Sequence, residues 1–192
     1  DLVPTMRSLM IHYDPLCISQ AELKKFITPL LGREFTLDDD IIRWRIPVCY
    51  ENKYAPDIED VSRSLKVSAS EIIKQHTSVE LEVFMMGFLP GFPYLGLLPE
   101  IFDLPRRVEP RVHVPPRSIS VAARQTTIYT IDSPGGWHLI GQTPVDFYDP
   151  NRENPVLVKA GDKVSFFAID SKEYPAVRRA LKADEYPLIM DC

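Results

Sequence analysis

The segment that most constrains the fold is residues 133–144, which reads Ser-Pro-Gly-Gly-Trp-His-Leu-Ile-Gly-Gln-Thr-Pro. It is dense in glycine and proline, the residues that set backbone direction most firmly. We expect Gly135 and Gly136 to form a tight turn with positive φ angles. The two-residue period of a strand then places Trp137 and His138 on opposite faces. His138 is therefore a candidate for proton transfer, and an exposed histidine at a hairpin tip is the simpler alternative.

The composition is that of an ordinary globular protein, with 45% hydrophobic and 26% charged residues in 192. No apolar run is long enough to span a membrane and no signal-like segment opens the chain, so we expect no membrane association. A net charge of -5 argues against nucleic-acid binding. Cys17, Cys49 and Cys192 show no metal-ligand or redox spacing, which predicts no metal site and favours the reducing cytoplasm.

Residues 1–40 have the sequence pattern of only part of a layered fold. Residues 8–13 alternate as a strand does, and a helix follows from Ser19, which stands in capping-box register with Glu22. Pro29 should kink or shorten the last turn of this helix. The acidic run 38–40 is typical of a solvated boundary. One strand and one helix need a partner surface, supplied either by upstream residues or by the following domain.

From residue 42 onward, short alternating segments dominate the sequence. We predict strands at residues 42–50, 79–85, 118–123, 127–131, 137–140, 156–158 and 163–169, and helices at 56–65, 68–77 and 172–182. His76, near the end of the helix 68–77, should cap that terminus. Many short strands with frequent turn signals predict a mainly β (α+β) protein built on a barrel or a sandwich.

A long apolar loop, residues 87–116, interrupts this pattern. It begins with Gly-Phe-Leu-Pro-Gly-Phe-Pro-Tyr-Leu-Gly and is too apolar to be disordered. We expect it to shape a groove, and a compact loop that only covers the barrel end is the alternative. The residues predicted to bind substrate in this groove are Phe88, Pro90, Gly91, Phe92 and Tyr94, together with Gly135, Gly136 and Trp137.

Five arginines fall between residues 104 and 124 against a single acid, Glu109. They are Arg106, Arg107, Arg111, Arg117 and Arg124. Because a guanidinium group binds carboxylate or phosphate in a bidentate manner, we predict an anion site that uses Arg107, Arg111 and Arg117. Ser118 and Gln125 would add neutral hydrogen bonds. A solvated basic loop is the alternative.

Taken together, the motifs at residues 87–96, 104–107, 109–111 and 134–144 resemble the family of the 5-oxoprolinase B subunit. This family also includes the sporulation-kinase inhibitor KipI and the proteins called allophanate hydrolase subunit 1. The resemblance implies a cyclophilin-like β-barrel over residues 41–192. Residues 1–40 would then be the C-terminal part of a small α/β domain whose start is missing. The sequence departs from the family pattern at Arg117 and Ala123, where glycine is common, at Thr130, where proline is common, and at Gln142, where arginine is common.

The resemblance also implies one component of a heteromeric enzyme. The B and C subunits would form a complex and work with the A subunit to open 5-oxo-L-proline to L-glutamate, coupled to ATP hydrolysis. The sequence has no Walker A motif, so we expect no cofactor on this chain, ATP use by the complex, and no activity of the chain alone. His138 would transfer a proton, and Gln142 would lie with the substrate-binding residues. A KipI-like inhibitor that binds a sensor histidine kinase is the alternative, and prolyl isomerase activity is a third, suggested by the fold alone.

Overall fold

The structure is a computed structural model that describes residues 1–33, 41–183 and 185–188. The chain divides into two compact units, residues 1–41 and 42–192. The acidic run 38–40, predicted as a boundary, lies outside the described residues. Among the described residues, no helix combines the length and the apolar character needed to cross a membrane.

The first unit is a small hairpin followed by a helix. Strands β1 (Leu2–Pro4) and β2 (Leu9–Ile11) pair antiparallel, and helix α1 spans Gln20–Ile27. The capping box is confirmed, because the Ser19 hydroxyl accepts from the Glu22 backbone N–H (3.3 Å) and the Glu22 carboxylate accepts from the Ser19 N–H (3.0 Å). Pro29 lies in a 3-10 turn, Thr28–Leu30, so the helix is shortened as expected.

The second unit is built on a closed barrel. Its strands are β3 (Arg43–Cys49), β4 (Glu80–Met86), β5 (Pro93–Gly96), β6 (Arg111–Val114), β7 (Ser118–Ala122), β8 (Gln125–Ile128), β9 (Ser133–Gly135), β10 (His138–Gln142) and β11 (Lys163–Ile169). Seven of them close in the order β10-β3-β11-β4-β5-β8-β7, while β6 and β9 form a separate two-stranded sheet. The pair β3 and β11 is parallel and the other pairs are antiparallel. This confirms the predicted mainly β (α+β) barrel fold.

The barrel interior is filled by the apolar positions that alternate along its strands. In β3, Trp44, Ile46 and Val48 are buried, whereas Arg45 on the opposite face is exposed. The other strands add Val83, Leu95, Ile119, Ile128, Ile140 and Phe166 to the same core. Full burial of one such side chain contributes about 1.5–3 kcal/mol, so this interior is the main source of the barrel's stability.

Among its described residues, the second unit contains the α-helices α2 (Ile58–Leu65), α3 (Ala69–Thr77) and α4 (Glu173–Lys182), and short 3-10 helices at Asn52–Tyr54 and Glu100–Phe102. Ser68 caps α3, as predicted, by accepting from the Glu71 N–H at 3.2 Å.

The predicted capping role of His76 at the end of α3 is wrong. Its ring is fully buried, with Nδ1 2.8 Å from the Tyr50 hydroxyl and Nε2 3.1 Å from the Thr126 hydroxyl, and it stacks on Phe166. Burial lowers the pKa of His76 to about 3, so the ring is neutral and cannot act as a cation at the helix end. Its position one turn after the buried Ile72 places both side chains on the inward face of α3.

Two further expectations are corrected. The loop predicted for residues 87–116 contains β5, which is a full member of the barrel between β4 and β8, and also β6. The predicted strand 156–158 is absent, because Val156 makes only an isolated bridge with Tyr148. At both places the outcome depends on strand pairing, which β5 has with β4 and β8 and Val156 has only as one bridge, so the local pattern is a poor guide.

Candidate functional site

The two motifs that dominate the sequence meet at an open pocket of about 280 Å³. Its lining consists of Phe88, Phe92, Tyr94, Arg106, Pro110, Tyr129, Pro134, Gly135, Gly136 and Trp137. We call this the aromatic pocket. It brings together six of the residues predicted to bind substrate, from the 87–96 segment and from the 133–144 segment.

The walls of the aromatic pocket are aromatic rings packed edge to face. Phe92 is central, with its ring centroid 5.3 Å from Phe88, 5.1 Å from Tyr94 and 5.2 Å from Tyr129. Tyr94 in turn lies 6.0 Å from the Trp137 ring. Such arrangements are favoured over face-to-face stacking and fix the rings relative to one another. The pocket is therefore a preformed apolar surface.

Two phenol hydroxyls supply polarity to this surface. Tyr94 and Tyr129 have no hydrogen-bond partner for their hydroxyls in the part of the chain that the structure describes. Burial raises the pKa of both phenols, although the charge of Arg106 opposes the shift. Both hydroxyls are therefore protonated at neutral pH and can donate to a ligand oxygen.

Arg106 adds a positive charge to the aromatic pocket. Its guanidinium carbon lies 5.6 Å from the centroid of the Trp137 ring, a cation–π contact. Of the five arginines between residues 104 and 124, it is the one without an ion pair to any described residue. The sequence analysis counted Arg106 in the cluster but did not place it among the binding residues, and it also missed Tyr129.

Two of the arginines that were predicted to bind an anion, Arg107 and Arg111, are neutralised by a carboxylate of the protein. Asp57, just before α2, is 1% exposed and accepts two hydrogen bonds from Arg111 at 2.8 and 2.5 Å. It also accepts from Arg107 at 3.3 Å and from the Leu139 N–H at 2.7 Å. We call these groups the Asp57 cluster. No local signal marks Asp57, since an acid before a helix is ordinarily read as a cap.

Gly135 and Gly136 do not form the predicted positive-φ turn. Gly135 lies in β9, opposite Arg111, and neither glycine has a positive φ. A Cβ on Gly135 would come 2.0 Å from the Tyr129 hydroxyl oxygen, whereas one on Gly136 would meet nothing closer than Pro110 at 3.7 Å. Gly135 is thus required for the close approach of Tyr129 to the strand.

The remaining predicted binding residues lie outside the aromatic pocket. Arg117 pairs with Asp146 at 3.3 Å, the Ser118 hydroxyl donates to the Pro115 carbonyl, and Gln142 donates to the Pro116 carbonyl. The Pro90 carbonyl accepts from Thr130, Gly91 has φ +68° and packs against Phe147, and Gln125 lies opposite Gly96 in the barrel. Within the described residues these contacts are structural, and no group of acidic, histidine or cysteine side chains there could hold a metal ion.

Comparison with known proteins identifies the family. The family model for the carboxyltransferase domain, subdomain C and D, matches residues 1–158. The chain belongs to this family. A 5-oxoprolinase B subunit from Bacillus subtilis (strain 168) is 37% identical over 190 residues, which is 93% of this chain and 79% of that protein. A 5-oxoprolinase B subunit from Escherichia coli O157:H7 is 45% identical over 121 residues, 63% of this chain and 56% of that protein. The predicted relation to the 5-oxoprolinase B subunit is confirmed.

A solved structure is similar to this chain in sequence and fold. The crystal structure of a conserved uncharacterized protein from Pyrococcus horikoshii is 36% identical and superposes with a TM-score of 0.66. The match covers 91% of this chain and 80% of that one. This chain therefore resembles the P. horikoshii protein both in sequence and in fold.

Arg117 and Ala123, at which a departure from the family pattern was predicted, both have a left-handed backbone, with φ of +69° and +48°. This region of φ suits glycine and costs other residues about 1–2 kcal/mol. Each of these residues therefore adopts a backbone conformation that is unfavourable for its type.

His138 lies outside the aromatic pocket. Its Nε2 donates to the Pro105 carbonyl at 2.9 Å, and its Nδ1 is buried with no hydrogen-bond partner among the described residues. It lines a second opening of about 340 Å³ with Asp60, Arg107, Val108 and Glu109. Trp137 and His138 therefore face different openings. Proton transfer by His138 stays a prediction.

Proposed function

We propose that the chain is the B subunit of an ATP-dependent 5-oxoprolinase, in which the A, B and C subunits together open 5-oxo-L-proline to L-glutamate. Two proteins that carry this name, at 37% and 45% identity, support the proposal. The observation that carries it is Arg106, which lies at the aromatic pocket and has no ion pair to any residue that the structure describes. We place the complex in the cytoplasm, where ATP is available.

The aromatic pocket matches the chemistry of this substrate. 5-Oxo-L-proline is a small five-membered lactam that carries one carboxylate. Its ring would pack against Phe92 and Trp137, and its carboxylate would bind Arg106. A hydrogen bond between charged partners of this kind contributes about 1.5–3 kcal/mol. The hydroxyls of Tyr94 and Tyr129 would donate to the lactam oxygen and orient it in the pocket.

The energetic demand of the reaction explains the need for partners. An unstrained lactam carbonyl is a weak electrophile, and phosphorylation of its oxygen would activate it for attack by water. This chain carries no Walker A sequence, so the nucleotide would bind to one of the other components. The B subunit would thus hold and orient the lactam, and it would not turn over alone.

The test is reconstitution. This chain is co-expressed with the C subunit, the A subunit is added with ATP and 5-oxo-L-proline, and glutamate is measured. We expect glutamate only when this chain is present, and at least a roughly tenfold higher KM for Arg106→Ala. Arg63→Ala is the matched control, because Arg63 is an exposed arginine on α2 whose partner among the described residues is Asp60. A stable three-component complex that forms no glutamate would overturn the proposal.

A KipI-like inhibitor of a sensor histidine kinase is the second candidate. One observation favours it: Phe88, at the aromatic pocket, is 61% exposed, as expected of an apolar anchor for a protein partner. On this alternative, Phe88→Ala would weaken kinase binding and the reconstituted complex would release no glutamate.

A further inference from the structure

Arg106 is held between two backbone anchors. On one side, the Pro105 carbonyl accepts a hydrogen bond from His138 Nε2 at 2.9 Å. On the other side, the Arg107 N–H donates to the Gly136 carbonyl at 2.7 Å. Residues 105–107 are thereby fastened to residues 136–138. Arg106 and Trp137 are the central residues of the two fastened segments, and these are the two side chains in cation–π contact.

The anchor at Arg107 is reinforced, whereas the anchor at Pro105 depends on one side chain. The guanidinium group of Arg107 binds Asp57, which also binds the Leu139 N–H, so this side is tied to β10 by several contacts. Pro105 has no backbone N–H, and its carbonyl is held by His138. Loss of the imidazole would free the segment on the N-terminal side of Arg106.

We propose that His138 is a positioning residue, whose Nε2–H holds the Pro105 carbonyl and thereby keeps Arg106 over Trp137, where Arg106 binds the carboxylate of the ligand. The identity of that ligand as 5-oxo-L-proline rests on the proposed function. The anchor itself does not, because it is a feature of the free protein.

The geometry separates this role from proton transfer. A carbonyl oxygen can only accept, so Nε2 carries the proton and is engaged by Pro105. Nδ1 is buried, and the imidazole lines the opening that contains Arg107 and Glu109, not the aromatic pocket. A positioning role needs only a hydrogen-bond donor at the place of Nε2. Glutamine can supply one there, and asparagine, which is one carbon shorter, cannot.

The first experiment tests, in the absence of any ligand, whether the hydrogen bond from His138 to Pro105 keeps Arg106 over Trp137. The chain has two tryptophans, and both are buried, with Trp44 7% and Trp137 8% exposed. Trp44 lies in the barrel core with its indole N–H bound to Asp162, so a change in acrylamide quenching caused by a substitution at Arg106 or His138 reports on Trp137. We expect Arg106→Ala and His138→Asn to raise quenching by the same amount, the double variant to add nothing, and His138→Gln to match the unmodified protein.

Three outcomes of the quenching measurement would overturn the anchor. One is no change on Arg106→Ala, which would show that Arg106 does not cover Trp137. Another is an increase on Arg106→Ala with none on His138→Asn. The third is additive effects in the double variant. Circular dichroism of each variant shows that the fold is retained, and His113→Asn, an exposed histidine of β6 bound to Asp132, is the matched control.

The second experiment uses the reconstituted complex with 5-oxo-L-proline. We expect His138→Asn to raise KM about fivefold with kcat within about twofold, as for loss of one hydrogen bond that orients a binding group. His138→Gln should restore KM. If His138→Gln instead abolishes turnover while quenching is unchanged, His138 transfers a proton and the positioning role is overturned. An inactive unmodified complex would overturn the proposed function and leave the quenching result standing.

Discussion

The Asp57 cluster and the aromatic pocket both use residues from the segments 104–111 and 133–144, yet their arginines differ in whether they form ion pairs. In the Asp57 cluster a buried carboxylate neutralises Arg107 and Arg111 and binds the backbone of β10. In the aromatic pocket, Arg106 has no ion pair to any described residue. Adjacent arginines in the sequence therefore have different tasks: one fastens the fold and the other is available to a ligand.

The difference shows why a run of like charges is ambiguous in a sequence. Whether an arginine binds an anion depends on whether the protein already supplies one. Here a single acid, 50 positions from Arg107, decides it. Substitutions that change the state of either region test this comparison directly.

The largest effect is expected from Asp57→Ala, which removes the carboxylate at the centre of the Asp57 cluster. It leaves Arg107 and Arg111 without a counter-charge and the buried Leu139 N–H without an acceptor, so the free energy of unfolding should fall by about 3 kcal/mol. Urea denaturation measures this. Asp60→Ala, which removes only an exposed pair with Arg63 on α2, should change it by about 0.5 kcal/mol or less. Equal losses in the two variants would refute a special role for Asp57.

A pH titration extends the comparison to His76, whose neutral ring is fully buried in the protein interior. Because the pKa of His76 is lowered to about 3, the unfolded chain binds the proton more readily than the folded one below the usual value of 6.5. This group therefore costs no stability above pH 6.5. Between pH 6.5 and 4.5 it should lower the free energy of unfolding by about 2 kcal/mol.

The measurement is the stability difference between the unmodified protein and His76→Gln as a function of pH. That difference should change over this range, because the variant lacks the titrating ring. Tyr50→Phe serves as control: it removes the hydrogen bond to Nδ1 and keeps the imidazole, so it should retain the pH dependence. A pH-independent difference for His76→Gln would show that the ring does not govern acid sensitivity.

An effect of similar size is expected at the aromatic pocket from Gly135→Ala. The new methyl group would displace the Tyr129 ring, which should cost about 2 kcal/mol and distort the wall of the aromatic pocket. Gly136→Ala, one residue later in the same wall, meets only Pro110 at ordinary contact distance and should stay within about 0.5 kcal/mol. Thermal unfolding of the two variants compares them, and an equal shift in both would rule out the tyrosine contact as the cause.

Local periodicity was enough to predict much of the barrel. The predicted strand 163–169 coincides with β11, and the predicted 42–50 contains β3, because inward and outward residues alternate clearly in both. Strand β5 was missed because Pro93 opens it within a segment rich in glycine and proline. What makes it a strand is pairing with β4 and β8, which no local pattern records.

The residues of the candidate site also fall into those that the sequence predicted and those that it did not. The aromatic residues 88, 92, 94 and 137 were predicted because large apolar side chains in a loop must pack somewhere. Tyr129 was read as an ordinary residue of the strand predicted at 127–131, and only its approach to Gly135 reveals its place in the pocket. The distinction between Arg106 and Arg107 depends on Asp57, and residue type alone cannot make it.

The parallel pair β3 and β11 has a consequence for biosynthesis. Arg43 and Lys163, which are opposite each other in this pair, are 120 positions apart, so a growing chain makes β3 long before its neighbour leaves the ribosome. Its contact with β10 is a single residue pair, Gln142 with Cys49. Until residues 163–169 emerge, β3 and β4 have open edges, and open strand edges are where chains aggregate. Completion of the barrel therefore waits for residues 163–169, and until then the nascent chain exposes strand edges that can pair with other chains.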